Sequence, residues 1–286
     1  MTLRPAFASR IVFPHWSHPN WIIVGAHSSF VAYSLILPGF SRQPSYALAS
    51  IATCVSLELL VRRLQGKELA FPLSAIISAL GLVLLTDSYT PWGYALVGAL
   101  SILSKHLLTI NGRHIFNPTN FGIVVANYFF TGTVTLVPGR WGGTLGSMLF
   151  VLALGLLLVY RAKRLWLSLG FSLAYFTGAL ILAFAYNARP VSMLMPMTGA
   201  AFMLFVFFMI TDPQTSPSAP RQQLVYGALV GILATIFRNY WLNTNLFLAL
   251  FVTTALYSYW RAAKEAPHHR SEFLPSAIPA PAEALR

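Results

Sequence analysis

Residues 71–87 read FPLSAIISALGLVLLTD, and residues 195–212 read MPMTGAAFMLFVFFMITD. Each places a bulky apolar residue, a hydroxyl residue and a small residue after a proline, and each ends in Thr-Asp. The next span repeats too. Tyr94 opens YALVGALSILSK and Gly227 opens GALVGILATIFR, so that Ala95-Leu96-Val97-Gly98 matches Ala228-Leu229-Val230-Gly231 and Lys105 falls at Arg238. Convergent apolar composition is the alternative, because Ala, Leu, Val and Gly are common in any membrane span. The shared Thr-Asp ends and the shared order of segments favour a true repeat. The unit is five spans, and an odd number forces the two copies to face opposite ways across a bilayer.

Composition agrees with a bilayer as the solvent. Of 286 residues, 56% are hydrophobic and only 9% are charged, against about 25% charged in a soluble domain. A mean hydropathy of +0.65 leaves too little polar surface to face water. A soluble fold, a disordered chain and a disulfide scaffold are excluded, the last also because Cys54 is the single cysteine. The net charge of +12 does not point to nucleic acid, since the basic residues fall in short groups between apolar runs. Residues 1–20 carry Arg4 and Arg10 but three prolines and no apolar core, and do not read as a cleavable signal peptide.

A crossing helix needs about 20 mostly apolar residues. The expected spans are 21–40, 46–61, 69–86, 91–108, 121–136, 144–160, 167–186, 193–211, 224–238 and 240–260. With the N-terminus inside, fifteen of the nineteen Lys and Arg fall on inner segments and four on outer ones, as cytoplasmic loops require. The expected fold is therefore an all-α integral membrane protein of about ten transmembrane helices. They form two inverted five-helix repeats with broken or half helices, and both termini are cytoplasmic. Its parts are a cytoplasmic segment (1–20), a first repeat (21–136), a second (144–260) and a disordered, Pro- and Ala-rich tail (261–286).

Polar groups at membrane depth need partners or a task. Glu58 is the one carboxylate expected inside the bilayer, and Arg62, one helical turn on, is its natural partner. Residues 104–122, SKHLLTINGRHIFNPTNFG, carry Lys105, His106, Arg113, His114, Asn117, Thr119 and Asn120. Asn117-Pro118 marks a turn into a helix, whose opened amides and Asn side chains could hold a phosphate or a polar heterocycle. A capped cytoplasmic loop is the alternative reading. Asp212-Pro213 repeats this construction on the same inner side. Thr198, Gly199 and Ala200 open the eighth span from the outer side, offering a hydroxyl and close backbone approach; simple helix packing by small residues is the alternative. His27 lies within the first span, but a bis-histidine haem site needs a second ligand at matching depth, and a hydrogen-bonding histidine is the more ordinary reading. No nucleophile elbow, phosphate-binding loop, zinc spacing or dinucleotide fingerprint is present, so neither catalytic nor metal residues are assigned.

Three strings, GRHIFNPTNFGIVVA (112–126), FFMITDPQTSP (207–217) and the Thr198-Gly199-Ala200-Ala201 element, resemble the NqrB/RnfD family. These are the flavin-carrying membrane subunits of the sodium-pumping NADH:quinone reductase and of the Rnf electron-transfer complex. The similarity runs from about Leu69 to Trp260 and implies a ten-span inverted-repeat fold in a bacterial cytoplasmic membrane. In that family an outer-face Ser/Thr-Gly-Ala-Thr element carries FMN esterified to its last threonine. Here that position is Ala201, which offers no oxygen. The resemblance therefore implies a flavin (FMN or riboflavin) held without a covalent bond, with a quinone as another occupant. The symmetry-related segments Pro72-Leu73-Ser74-Ala75 and Pro196-Met197-Thr198-Gly199 frame its site. Expected site residues are Ser74, Arg113, His114, Asn117, Thr119, Asn120, Thr198, Gly199, Ala200 and Asp212. Expected partners are the lipid bilayer and other membrane, flavin, haem or iron-sulfur subunits of a larger complex, with no nucleic acid. Two alternatives are a permease for a small aromatic or flavin-like molecule and a cofactor-free scaffold subunit.

Overall fold

The computed structural model describes residues 11–36, 43–136, 145–240 and 244–272, with the side chains of 145, 147, 200, 201 and 266–272 excepted. Proline punctuates the chain as its fixed φ and missing N–H dictate. Pro44, Pro91, Pro118, Pro190 and Pro220 each stand in the first turn of the helix they open: α2 (Pro44–Leu64), α4 (Pro91–Leu107), α5 (Pro118–Phe129), α8 (Pro190–Leu194) and α10 (Pro220–Asn239). The remaining helices are α1 (Asn20–Ile36), α3 (Leu73–Leu85), α6 (Leu145–Arg161), α7 (Leu165–Ala185), α9 (Ala200–Leu204) and α11 (Asn245–Glu272).

Helix falls within every window expected from the sequence. Three segments, Pro44–Leu64, Leu165–Ala185 and Asn245–Glu265, are long and apolar enough to cross a membrane. A fourth is added if Pro190–Thr198 and Phe202–Met209, bent by 64°, form one span. Leu60, Leu64, Leu173, Ile181 and Phe184 lie exposed on the outside of these helices. Apolar surface of that kind suits lipid rather than water.

Two differences from the sequence reading have local causes. The fifth window was expected to run to 136, but α5 stops at Phe129. Thr135–Leu136 instead pairs antiparallel with Thr86–Asp87, capping the end of α3. Nor is the whole of 261–286 disordered, because α11 continues to Glu272. There Arg261 lies 5.7 Å from the ring centroid of Tyr257, Lys264 lies 4.1 Å from that of Trp260, and Glu265 accepts a 3.1 Å hydrogen bond from Asn111. Residues 273–286 lie outside the described residues.

The repeated Thr-Asp ends do the same job twice. Thr86 donates its hydroxyl to the carbonyl of Leu82 and Thr211 donates to that of Phe207, each at 2.7 Å and each four residues back. The repeated glycines also act alike. A Cβ at Gly98 would lie 3.0 Å from Cys54 Sγ on α2, and one at Gly231 would lie 2.8 Å from the Phe171 carbonyl on α7. Small residues let backbones approach where lipid offers no hydrophobic drive between helices. The core they close includes Phe30, Leu82, Phe171, Phe205 and Leu250.

Between α9 and residue 210 the helix widens into a π-turn, Phe205–Met209, closed by the Ile210 amide donating to the Phe205 carbonyl at 3.0 Å. A widened turn loosens the regular backbone ladder. The Ser168 hydroxyl donates to the freed Val206 carbonyl at 2.9 Å.

Candidate functional site

Asn117 is the N-cap of α5, extended (φ −61°, ψ 124°) as a residue before proline must be. Its Oδ1 accepts from the Asn120 amide at 3.1 Å, so the helix N-terminus uses its own cap. Its Nδ2 reaches the other half of the chain, donating at 3.4 Å to both the Met209 carbonyl and Asp212 Oδ2. Asp212 also accepts from the Gln214 amide and the Thr215 hydroxyl, each at 3.1 Å. The two Asx-Pro turns thus meet, though with different tasks. Asn117 starts a helix, whereas Asp212 orders a loop and the next helix starts only at Pro220.

Beside this junction lies a cavity of about 450 Å³ between α1, α3, α5, α6 and the π-turn. That volume suits a small organic ligand. Ser74, His114, Asn117, Thr119 and Asp212 line it together with Asn20, His27, Arg62 and Lys105, and so do the apolar Ile77, Leu84, Leu158, Phe207 and Phe208. Five of the expected site residues therefore come together.

The other five do not line this cavity. Arg113 is exposed on the strand Arg113–His114. Asn120 is fully buried, donating at 3.1 Å to the Phe247 carbonyl. Thr198 is exposed and donates at 2.7 Å to the carbonyl of Met195 in its own 3-10 turn (Met195–Thr198). Gly199 ends that turn and Ala200 starts α9. A 64° bend separates Pro190–Thr198 from Phe202–Met209, and only the second of these segments reaches the cavity.

Next to the cavity sits an ionic cluster. Glu58 is 0% exposed, and its carboxylate meets Arg62 Nε, Lys105 Nζ and His106 Nε2, each at 2.9 Å. Lys105 Nζ also donates to the Ser74 hydroxyl at 2.6 Å. The Glu58–Arg62 pair follows from helical spacing. Lys105 and His106 come from α4, and residues 47 and 48 positions away leave no periodic signal in the sequence. His27 and the aromatic wall were likewise missed as cavity residues. A hydrogen-bonding histidine was expected, and His27 Nδ1 does contact the Ile23 carbonyl at 3.0 Å, with its ring edge-on to Phe208. In the loop after α6, burial lowers the pKa of Arg164, while Tyr257 and Asp212 oppose the shift.

Residues 129–252 match the NQR2, RnfD, RnfE family. Its curated relatives include the RnfD component of the ion-translocating oxidoreductase complex from Aeromonas hydrophila, 25% identical over 71% of this chain and 82% of that protein. The same component from Shewanella denitrificans is 27% identical over 71% of this chain and 79% of its own length. The one from Yersinia enterocolitica is 39% identical over 31% of this chain and 26% of its own length. The resemblance read from the sequence is thus to subunits of a membrane electron-transfer complex. Two of the three strings that carried it, 198–201 and 207–217, fall inside the matched stretch.

Proposed function

We propose that this chain is a membrane electron-transfer subunit holding a flavin, without a covalent bond, in the cavity beside the Asn117–Asp212 junction. The single observation carrying this reading is that cavity, whose lining combines polar groups with two phenylalanines. A flat heteroaromatic ring needs such a combination: apolar faces to lie against and a few fixed polar groups at its edge. The residues present fit that requirement. Phe207 and Phe208 would lie against the ring, and Ser74, His114, Asn117 and Thr119 would meet its polar edge. The bound flavin would supply one- and two-electron chemistry. The chain's own part is to exclude water, orient the ring and set the polarity around it.

The proposed architecture is two inverted five-helix repeats in a bacterial cytoplasmic membrane, with further subunits of a larger complex alongside. Its support is that both repeated segments line one cavity, 71–87 from Ser74 to Leu85 and 195–212 from Leu204 to Asp212. The counterpart basic residues also act alike: Lys105 binds Ser74 at the start of the third helix, and Arg238 donates to the Met193 carbonyl at 2.7 Å near the start of the broken one.

The purified chain should show an oxidised-flavin absorbance band, directly or after titration with riboflavin or FMN. Because Ala201 cannot be esterified, denaturation should release all of it, leaving no fluorescent band on a denaturing gel. A protein that stays colourless after titration would overturn the proposal. A cavity of this size would also hold a transported solute. Accumulation of labelled riboflavin in vesicles containing this chain alone would assign it to transport instead.

A further inference from the structure

The cavity's polar groups are unevenly committed. Its cations are turned onto Glu58: Arg62 and Lys105 both donate to that carboxylate, and Lys105 also to Ser74. Asn117 spends its amide hydrogens on Met209 and Asp212. The two histidines are arranged the other way. His27 Nδ1 lies 3.0 Å from the Ile23 carbonyl and His114 Nδ1 lies 3.1 Å from the Lys105 carbonyl. A carbonyl oxygen only accepts, so in each ring Nδ1 carries the hydrogen, and the neutral ring keeps a bare lone pair on Nε2. Among the described residues neither Nε2 has a hydrogen-bond partner; both histidines line the cavity, and His27 is 5% exposed. Two bare imidazole nitrogens therefore belong to the cavity lining, beside the hydroxyls of Ser74 and Thr119.

We infer that Nε2 of His27 and Nε2 of His114 are recognition groups for an occupant whose ring edge offers N–H or O–H hydrogens. A flavin, whose ring edge carries an N–H, meets that requirement. This rests on the reading of the cavity as a redox-cofactor site and narrows what fills it. A ring edge without such a hydrogen leaves a buried acceptor unpaired. A flavin has an N–H between two carbonyls and hydroxyls on its side chain. Burial holds the pKa of His114 below its ordinary value against the pull of Asp212, while Lys105 and His106 push it further down. The ring is an acceptor at neutral pH.

The test compares riboflavin with 3-methylriboflavin, which lacks the ring N–H, by equilibrium binding to the full chain in detergent. Wild type should bind riboflavin at least about tenfold more tightly, the effect of leaving a buried acceptor unpaired. In His27→Phe or His114→Phe the ratio should fall below about threefold, and the matching Gln variant, which restores an acceptor, should recover it. Should a Phe variant fail to fold, the wild-type ratio and the Gln variant still decide. Equal binding of the two flavins by wild type, or a ratio unchanged in both Phe variants, would overturn the inference while leaving flavin binding in place. Failure of both flavins to bind would instead remove the electron-transfer reading on which it rests.

Discussion

Replacing Glu58 with leucine tests whether the ionic cluster holds α2 and α4 together. The carboxylate is wholly buried, whereas the side chains of Arg62, Lys105 and His106 are 29%, 11% and 9% exposed. Glu58→Leu would leave Lys105 and His106 on α4 without their acceptor, with only the Ser74 hydroxyl remaining for Lys105. Arg62 suffers less, because it is part-solvated and lies 3.5 Å from the Glu68 carbonyl. Breaking a buried pair by removing one partner costs about 3–5 kcal/mol. At about 2–4 °C per kcal/mol for a chain of this size class, the melting temperature should fall by about 6–20 °C. Glu58→Gln keeps one acceptor but turns an amide toward a donor, and should fall between the two. Adding Lys105→Met to Glu58→Leu should recover part of the loss, because the stranded cation is then gone. The chain carries its own reporter: Cys54, the only cysteine, is buried one turn from Glu58. A thiol-reactive dye in detergent will read its exposure on heating. Melting of Glu58→Leu within about 2 °C of wild type would refute the assigned role, since the smallest loss expected is about 3 kcal/mol.

Asn117→Leu removes both a helix cap and the link to Asp212, and Asp212→Leu removes the acceptor for Asn117, Gln214 and Thr215; each should destabilise by about 1–3 kcal/mol in the same melt. Wild-type melting in both would deny the junction any structural role. His114, its pKa lowered by burial, is neutral when folded, so below about pH 6.5 the unfolded chain binds the extra proton and stability falls with acidification. Tryptophan-detected melts at pH 7.5 and 5.5 should show less acid sensitivity in His114→Gln than in wild type; an unchanged difference would count against the burial. For topology, cysteines placed at 139 and 266 on a Cys54→Ala background should label from outside and inside respectively. Labelling of 266 in intact cells would contradict the cytoplasmic C-terminus.

What the sequence determined here is what acts within a few turns. Apolar runs, proline starts and the sparse charge place the helices, because helix formation in lipid is settled segment by segment, with every backbone group satisfied internally. The Asn117 cap and the Glu58–Arg62 pair were legible for the same reason, since one spans three residues and the other four. Tertiary structure decided which ends meet. Lys105 and His106 reach Glu58 because α4 packs on α2, with Gly98 against Cys54, and Asn117 meets Asp212 across 95 residues because the two turns pack together. The same packing gathers five of the ten expected site residues around one cavity, adds His27 and two phenylalanines, and leaves Thr198 outside. A residue's spacing along a helix fixes its neighbours one turn away, but what it faces across an interface depends on how closely two backbones approach, and that is a property of the packed pair.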